Sequence, residues 1–184
     1  MGKPKHTARE RTAYHEAGHA VMAFYLHRRI VTVTIVADEE QGSLGHVRYG
    51  QLPPTFDPDV DTSIKTERLI QREVLLCVAG NTAEWLLTGR NNWTGASDDR
   101  HKAVQIAGYL CGSNEEIGAY ISWLMLRAAS ILHRPDLWAG VEGLAKALLE
   151  RDTIGSREIP TIIRASFRQA LDEHLRRSRA QIKP

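Results

Sequence analysis

Residues Thr12–Tyr25 read Thr-Ala-Tyr-His-Glu-Ala-Gly-His-Ala-Val-Met-Ala-Phe-Tyr, and this stretch decides the fold. Small residues alternate with apolar ones and no proline interrupts them, which predicts one helix reaching about Arg28. His15 and His19 are four residues apart, so their rings lie one turn apart on the same face. Two imidazole nitrogens at that spacing can bind one metal ion, each at a distance of about 2 Å. Glu16 then points past the metal toward water, from which it can accept a proton instead of acting as a ligand.

The same pattern has a simpler interpretation, a helix that carries two solvated histidines. The residues between the two rings argue against it, because Ala17 and Gly18 are both small and leave space around them. We therefore predict a zinc site on this helix, with Glu16 as the catalytic carboxylate.

Length and composition limit the class of protein. A chain of 184 residues with 42% hydrophobic residues can form one domain with a proper core. The formal net charge of +2 is too small to favour nucleic acid as the main partner. Basic residues gather at both ends, and we interpret residues 1–8 as a flexible basic N-terminus.

Cysteine content and hydropathy bear on the compartment. Cys77 and Cys111 each lie within an apolar helical run, which predicts two reduced core thiols and no disulfide framework. No apolar run reaches the roughly 18 residues that cross a membrane, and no signal-peptide pattern opens the chain. The sequence thus predicts a cytoplasmic protein without a membrane span.

Two strands are predicted after the first helix. Alternating β-branched residues mark Ile30–Val36, a turn is predicted over Asp38–Gly42, and Leu44–Tyr49 gives the second strand. Gly45 within that strand indicates close approach of another backbone. Two interpretations of the second strand remain open: an ordinary hairpin, or an edge strand that holds an extended peptide.

The remainder of the chain is predicted to be helical after a proline-rich loop over Gly50–Asp61. The predicted helices, separated by loops or turns at Gly89–Ser97, Gly112–Asn114 and Asp152–Ser156, are Thr62–Thr88, Asp98–Cys111, Glu116–Leu132, Pro135–Glu150 and Arg157–Arg179. Trp93, Trp123 and Trp138 are assigned to core or interface packing. The fold class is therefore mainly α with a small β-sheet (α+β), in which a zincin-like metal helix precedes a C-terminal helical bundle. We expect a metallopeptidase core with the sheet over 9–112, and 113–184 as the helical part of the same domain.

Two imidazoles do not complete a hydrolytic zinc site, which usually has three protein ligands and one open position. Acidic residues further along the chain are the candidates for the third ligand. They are Glu73, Glu84, Asp98 and Asp99. Spacing alone does not choose among these four carboxylates, because helix capping and solvent exposure explain acidic residues equally well.

Four motifs together resemble the peptidase domain of FtsH-type proteases, which are membrane-bound ATP-dependent zinc proteases (peptidase family M41). The motifs, in the family's order, are His15-Glu-Ala-Gly-His19-Ala, Gly42-Ser-Leu-Gly45, Ala79-Gly-Asn-Thr-Ala-Glu84 and Thr94-Gly-Ala-Ser-Asp-Asp99. Further on, Leu144–Glu150 and Ile154–Ile159 are similar to the C-terminal helical part of that domain. The resemblance covers roughly residues 10–165.

The resemblance implies a role for each matching residue. His15, His19 and Asp99 correspond to the zinc ligands, and Glu16 corresponds to the catalytic carboxylate. Glu84 matches an acidic residue near the family's site, which orients a ligand imidazole. Asp98 replaces the family's usual Asn and places a second carboxylate beside the ligand. Leu44 and Gly45 match the strand along which the family binds its substrate.

The chain also departs from the family. It contains neither a G-x-x-x-x-G-K-[ST] phosphate loop nor a transmembrane anchor, which predicts a stand-alone peptidase without an ATPase of its own. Gly108–Leu132 is shorter than the family's counterpart and gives no basis for a hexameric ring. The expected partners are a peptide or an unfolded protein as substrate, and either a separate ATPase or further copies of the chain.

Three functional hypotheses follow. The first is a zinc-dependent endopeptidase that hydrolyses unfolded or short peptides by metal-activated water. The second is a metal-binding adaptor or regulatory module that is proteolytically idle. The third is a peptidase that works in trans with a separate ATPase. The presence of Glu16 beside both histidines favours an enzyme, because an idle module has no need of a base.

Overall fold

A computed structural model describes residues 6–37, 44–90 and 97–181. Six helices and three strands occur in this part of the chain. They are α1 (Ala8–Tyr25), β1 (Ile30–Thr34), β2 (His46–Tyr49), α2 (Ile64–Thr88), α3 (Ser97–Ala107), α4 (Asn114–Leu132), α5 (Pro135–Arg151), β3 (Thr153–Gly155) and α6 (Glu158–Gln181). The predicted class, mainly α with a small β-sheet, is confirmed. The predicted turn over Asp38–Gly42 and Trp93 lie outside the described residues.

Helix α1 is the central element of the fold. The helix begins with a capping box. The backbone N–H of Glu10 donates to the Thr7 hydroxyl, and the backbone N–H of Thr7 donates to the Glu10 carboxylate. One face of α1 is formed by three fully buried alanines, Ala13, Ala17 and Ala20. Because these side chains are small, α2 and α5 pack closely against α1.

The C-terminal end of α1 differs from the sequence prediction. The helix ends at Tyr25 and not near Arg28, because the chain must turn back into β1. His27 adopts a positive φ of 55°, and the Arg28 N–H donates to the Ala23 carbonyl at 2.8 Å. A left-handed residue with this hydrogen bond closes a helix tightly.

Gly18 allows a close approach of α1 and α2. A β-carbon built there would lie 2.5 Å from the Ala83 β-carbon and 2.8 Å from the Ala79 carbonyl oxygen. Real atoms do not approach so closely, so any side chain at this position would push the two helices apart. The glycine that lies between the two histidines in the sequence therefore also determines how tightly the two central helices pack.

We expect Gly18→Ala to lower the free energy of unfolding by about 1–3 kcal/mol through overpacking. Gly118→Ala is the matched control, since Gly118 lies inside α4 and its added β-carbon would meet no atom within 4 Å beyond its own stretch of helix. There the same substitution should stabilise by about 0.5–1 kcal/mol through helix propensity. Urea denaturation in excess chelator measures both variants without a contribution from bound metal. Equal effects of the two substitutions would contradict the packing argument.

The sheet contains a strand that the sequence analysis missed. Asp152–Ser156 was predicted to be a turn, but Thr153–Gly155 pairs antiparallel with β1 and gives the strand order β2-β1-β3. Ile154 is fully buried opposite Val33. A three-residue strand is too short to show alternation in the sequence, and its pairing partner lies far away along the chain. As a result, β1 is central and β2 is an outer strand of the described sheet.

The remaining helices complete the core. Ser113 caps α4, and α3 ends at Ala107 just before Gly108, earlier than the predicted Cys111. Trp138 packs against the Tyr14 ring at 5.9 Å between centroids, as predicted for a core residue. Trp123 is half exposed, so it is not a core residue. The division of the domain at residue 112 stays a prediction.

None of the helices in the described part of the chain combines the length and apolar character needed to cross a bilayer.

Candidate metal centre

Three predicted side chains meet between α1 and α3. The Nε2 atom of His15 lies 3.1 Å from Nε2 of His19 and 3.1 Å from Oδ2 of Asp99. The Nε2 atom of His19 lies 2.9 Å from the same Asp99 oxygen. Helix α1 supplies both rings because of their four-residue spacing, and the first turn of α3 supplies the carboxylate. The three donor atoms therefore form a nearly equilateral triangle.

The spacing of these atoms fits a divalent metal. Ligand atoms about 2.0–2.1 Å from a tetrahedral ion lie about 3.3 Å from one another, close to all three separations in this triangle. Two imidazole nitrogens and one carboxylate oxygen are donors that zinc accepts. Within the described residues, this is the one group of three or more His, Cys, Asp or Glu side chains close enough to hold a metal ion.

The backbone of α2 orients one of the rings. The Leu76 carbonyl oxygen lies 2.7 Å from Nδ1 of His19. A carbonyl only accepts, so Nδ1 carries the proton and Nε2 keeps its lone pair toward the triangle. This is the arrangement in which a histidine side chain is fixed for metal binding.

Gly80 of α2 makes room for the two rings. A β-carbon at this position would lie 2.3 Å from Nε2 of His19 and 2.5 Å from Nε2 of His15. Any other residue would collide with the two nitrogen donors or displace them. This role was not predicted from the sequence, although a glycine within a helix is unfavourable by about 1 kcal/mol and therefore signals a packing requirement.

The side chains of the triangle shift one another's pKa values. Burial alone would lower the pKa of His15, but the nearby Asp99 and Glu84 carboxylates outweigh it and raise that pKa to about 10. For Asp99, burial acts to raise the pKa, but the neighbouring His19 and His15 prevail and lower it below the usual range. A carboxylate held ionised beside two histidines attracts positive charge. Metal binding at this site would therefore displace a proton from the His15 ring.

Glu16 is buried beside the triangle, with 5% of its surface exposed. Burial raises its pKa, although the neighbouring His15 and His19 oppose that shift. A carboxylate with an increased proton affinity is suited to accept a proton near neutral pH. Its position after His15 on α1 is the one that the sequence predicts for the base.

Gly45 brings the beginning of β2 against Glu16. A β-carbon on Gly45 would lie 2.8 Å from the Thr34 carbonyl oxygen and 3.1 Å from Oε1 of Glu16. The predicted close approach of another backbone is thus confirmed. Leu44 is adjacent, with 68% of its surface exposed. The outer strand of the sheet therefore starts at the side chain of the candidate base.

The other acidic candidates lie elsewhere. Glu73 forms a 3.1 Å ion pair with Arg28 and does not belong to the triangle. Glu84 Oε2 lies 3.9 Å from Nδ1 of His15, on the side of the ring away from Asp99. Asp98 precedes Asp99 but is exposed. Of the four carboxylates that spacing left open, only Asp99 reaches both rings.

Comparison with known proteins identifies similar sequences among zinc metalloproteases. The model of peptidase family M41 matches residues 3–121, which is more than half of the chain. The ATP-dependent zinc metalloprotease FTSH 9 (chloroplastic/mitochondrial) of Oryza sativa subsp. japonica is 32% identical, over 83% of this chain and 21% of that protein. FtsH 1 of Symbiobacterium thermophilum, named an ATP-dependent zinc metalloprotease, is also 32% identical, over 77% of this chain and 24% of that protein.

A His-Glu-x-x-His helix that meets a carboxylate from a later helix defines the class of zincin-like metallopeptidase folds. Within that class, the chain belongs to peptidase family M41. It spans about one fifth to one quarter of the length of these two relatives.

Proposed function

We propose that this chain is a zinc-dependent endopeptidase that hydrolyses short peptides or unfolded segments. The observation that carries the proposal is the triangle of His15, His19 and Asp99 with Glu16 buried beside it. The relatives' names, which specify zinc metalloproteases, support zinc as the metal.

In the proposed mechanism His15, His19 and Asp99 hold the metal. Zinc, when bound, supplies Lewis acidity that polarises a peptide carbonyl and acidifies water near neutral pH. Glu16 accepts the proton of the attacking water and donates it to the leaving amine. Its burial keeps bulk water from competing for that proton.

The outer strand is proposed to position the substrate. Leu44 and Gly45 lead into β2, whose outer edge no strand of the described sheet pairs. An extended peptide can add to such an edge through main-chain hydrogen bonds. Because Gly45 touches Glu16, a peptide bound there would have its backbone beside the base.

Two further carboxylates are proposed to support the ligands. Glu84 also lies 3.5 Å from Nε of Arg11, so it connects that guanidinium to the outer face of His15. In this position the negative charge of Glu84 lies near Nδ1 of His15 and favours the ring orientation in which Nε2 faces the metal. Asp98 adds negative charge next to Asp99 without being one of the three donor atoms.

A peptidase that works with an ATPase on a separate chain is the second candidate. The relatives are named ATP-dependent, and this chain covers about one fifth of the first of them. Such an ATPase would unfold substrates that the proposed peptidase alone cannot cleave.

Two free cysteines, Cys77 and Cys111, are compatible with a reducing compartment such as the cytoplasm.

The proposal is tested by incubating the purified chain with casein, which is unstructured. We expect cleavage that falls to background in excess chelator and returns when zinc is restored in slight excess over the protein. A tightly folded protein of similar size is the control and should stay intact. Cleavage that the chelator does not affect would contradict the metal mechanism, and no cleavage by the zinc-loaded protein would favour the idle module.

A further inference from the structure

A cavity of about 900 Å³ lies at the opposite end of β2 from Glu16. It forms where the turn after α1, the end of β2, the following loop and one turn of α2 meet. Val31, Leu52 and Leu69 contribute apolar lining. Four arginines also line it, namely Arg28, Arg29, Arg48 and Arg72, and none of its described lining residues is an Asp or a Glu. The cavity therefore combines apolar surface with concentrated positive charge.

Two of the arginines fix the shape of the cavity. Arg28 Nε lies 3.1 Å from Oε1 of Glu73, and Arg28 Nη1 donates to the Gln51 carbonyl at 3.1 Å. The Arg72 guanidinium donates to the Leu26 carbonyl. These bonds tie the loop and the end of α1 to α2. A cavity whose walls are held in this way needs little reorganisation to bind a ligand.

The other two arginines are available for a ligand. Arg29 and Arg48 are exposed, and within residues 6–37, 44–90 and 97–181 neither one forms an ion pair. A guanidinium group matches the geometry of a carboxylate or a phosphate with two parallel hydrogen bonds. Two such groups in one concave, partly apolar site favour an anionic ligand.

The position of the cavity relates this anion to the substrate. Gly45 lies beside Glu16, whereas Arg48 and Gly50, at the other end of the strand, line the cavity. At about 3.4 Å per residue, the five residues from Gly45 to Gly50 span about 17 Å. A peptide that pairs antiparallel with β2, the more stable pairing, would bring into the cavity a residue N-terminal to the bond beside Glu16.

We propose that this cavity is a specificity subsite for an acidic side chain, about four to six residues N-terminal to the scissile bond. The inference rests on the proposed peptidase function. A free phosphate could satisfy the same guanidinium groups, but only a polypeptide would bind the cavity and the edge of β2 together. The preferred substrates are therefore unfolded segments that carry Asp or Glu upstream of the cleaved bond.

The test uses two fluorescent, unstructured peptides with one mapped cleavage site. They differ only in carrying Glu or Gln at the fourth to sixth positions N-terminal to that site. Binding is measured by anisotropy on zinc-loaded Glu16→Gln protein, and cleavage is measured as kcat/KM on the otherwise unmodified chain. We expect the Glu peptide to bind and to be cleaved about tenfold better than the Gln peptide, as one charge-assisted hydrogen bond would give.

The preference should disappear when Arg29→Gln and Arg48→Gln are combined. The control combines Arg127→Gln with Arg176→Gln, two exposed arginines on α4 and α6. It removes the same charge and should keep the tenfold preference. Each protein is judged by its ratio of Glu-peptide to Gln-peptide cleavage, so that a general loss of turnover caused by Arg48→Gln on β2 does not imitate loss of the subsite. The Arg127/Arg176 control should cleave the Gln peptide as the unmodified chain does, because it alters neither the metal triangle nor β2.

The outcomes separate the two proposals. Cleavage of both peptides at equal rates would overturn the subsite and leave the peptidase function intact. A Glu preference in binding that depends on Arg29 and Arg48, without any cleavage, would support the anion subsite and overturn the peptidase function. Inorganic phosphate is the third probe: if it binds through these arginines while the two peptides bind equally, the cavity is a free-anion site and the proposal is wrong.

Discussion

Glu16→Gln is expected to lower kcat on an unstructured substrate by about 10²–10⁴-fold while the protein keeps its metal. A positioned proton acceptor contributes a factor of this size, and an amide cannot take its place. The substitution preserves the shape of the side chain, so the packing of Gly45 against it should be unchanged. Since Glu16 is not one of the three donor atoms, zinc content should also be unchanged. The measurement is turnover at saturating casein together with metal analysis of the same sample.

Protein stability distinguishes loss of the base from loss of the fold. Burying a carboxylate is costly, so its replacement by a neutral amide should leave the melting temperature of the metal-free protein unchanged or higher. Glu150→Gln on the exposed surface of α5 removes the same charge and should keep full turnover. Equal turnover of Glu16→Gln and the unmodified chain would remove the proposed role of Glu16.

Local sequence was sufficient to predict α1 and the two rings. The four-residue spacing of His15 and His19 determines their relative position once the segment is helical, and nothing distant is needed to place Glu16 after them. The strand at Ile30 follows in the same way from its β-branched alternation. These features depend only on the local pattern of residues, which is why they could be predicted from the sequence.

Features created by contacts between distant segments were not accessible in this way. The strand β3 exists because Ile154 pairs with Val33, more than 100 residues away along the chain. Gly80 leaves space for rings that belong to another helix. Four carboxylates were equally acceptable as the third ligand by spacing, and only the family resemblance pointed to Asp99. The packing of α3 against α2 is what brings that one carboxylate to both rings.

Asp99→Asn is expected to weaken zinc binding by about 100-fold or more. Zinc binding to a four-ligand structural site contributes about 10–16 kcal/mol, or roughly 3 kcal/mol per ligand, and 3 kcal/mol corresponds to more than a hundredfold in affinity. The amide keeps the size of the side chain but removes the charge that lies 2.9 Å from His19 and 3.1 Å from His15. The affinity is measured by competition with a chromogenic zinc chelator, and peptide hydrolysis should fall in parallel.

Asp98→Asn is the matched control, since it removes the same charge one residue earlier on α3. The Asp98 side chain is exposed and is not one of the three donor atoms, so its replacement should change zinc affinity by less than about tenfold. Unfolding in chelator must be compared as well, because Asp99 also interacts with both rings of the metal-free protein. If Asp98→Asn weakened zinc binding as strongly as Asp99→Asn, charge near the first turn of α3 would explain the affinity. A direct bond from Asp99 predicts instead that the two neighbouring substitutions differ by at least tenfold.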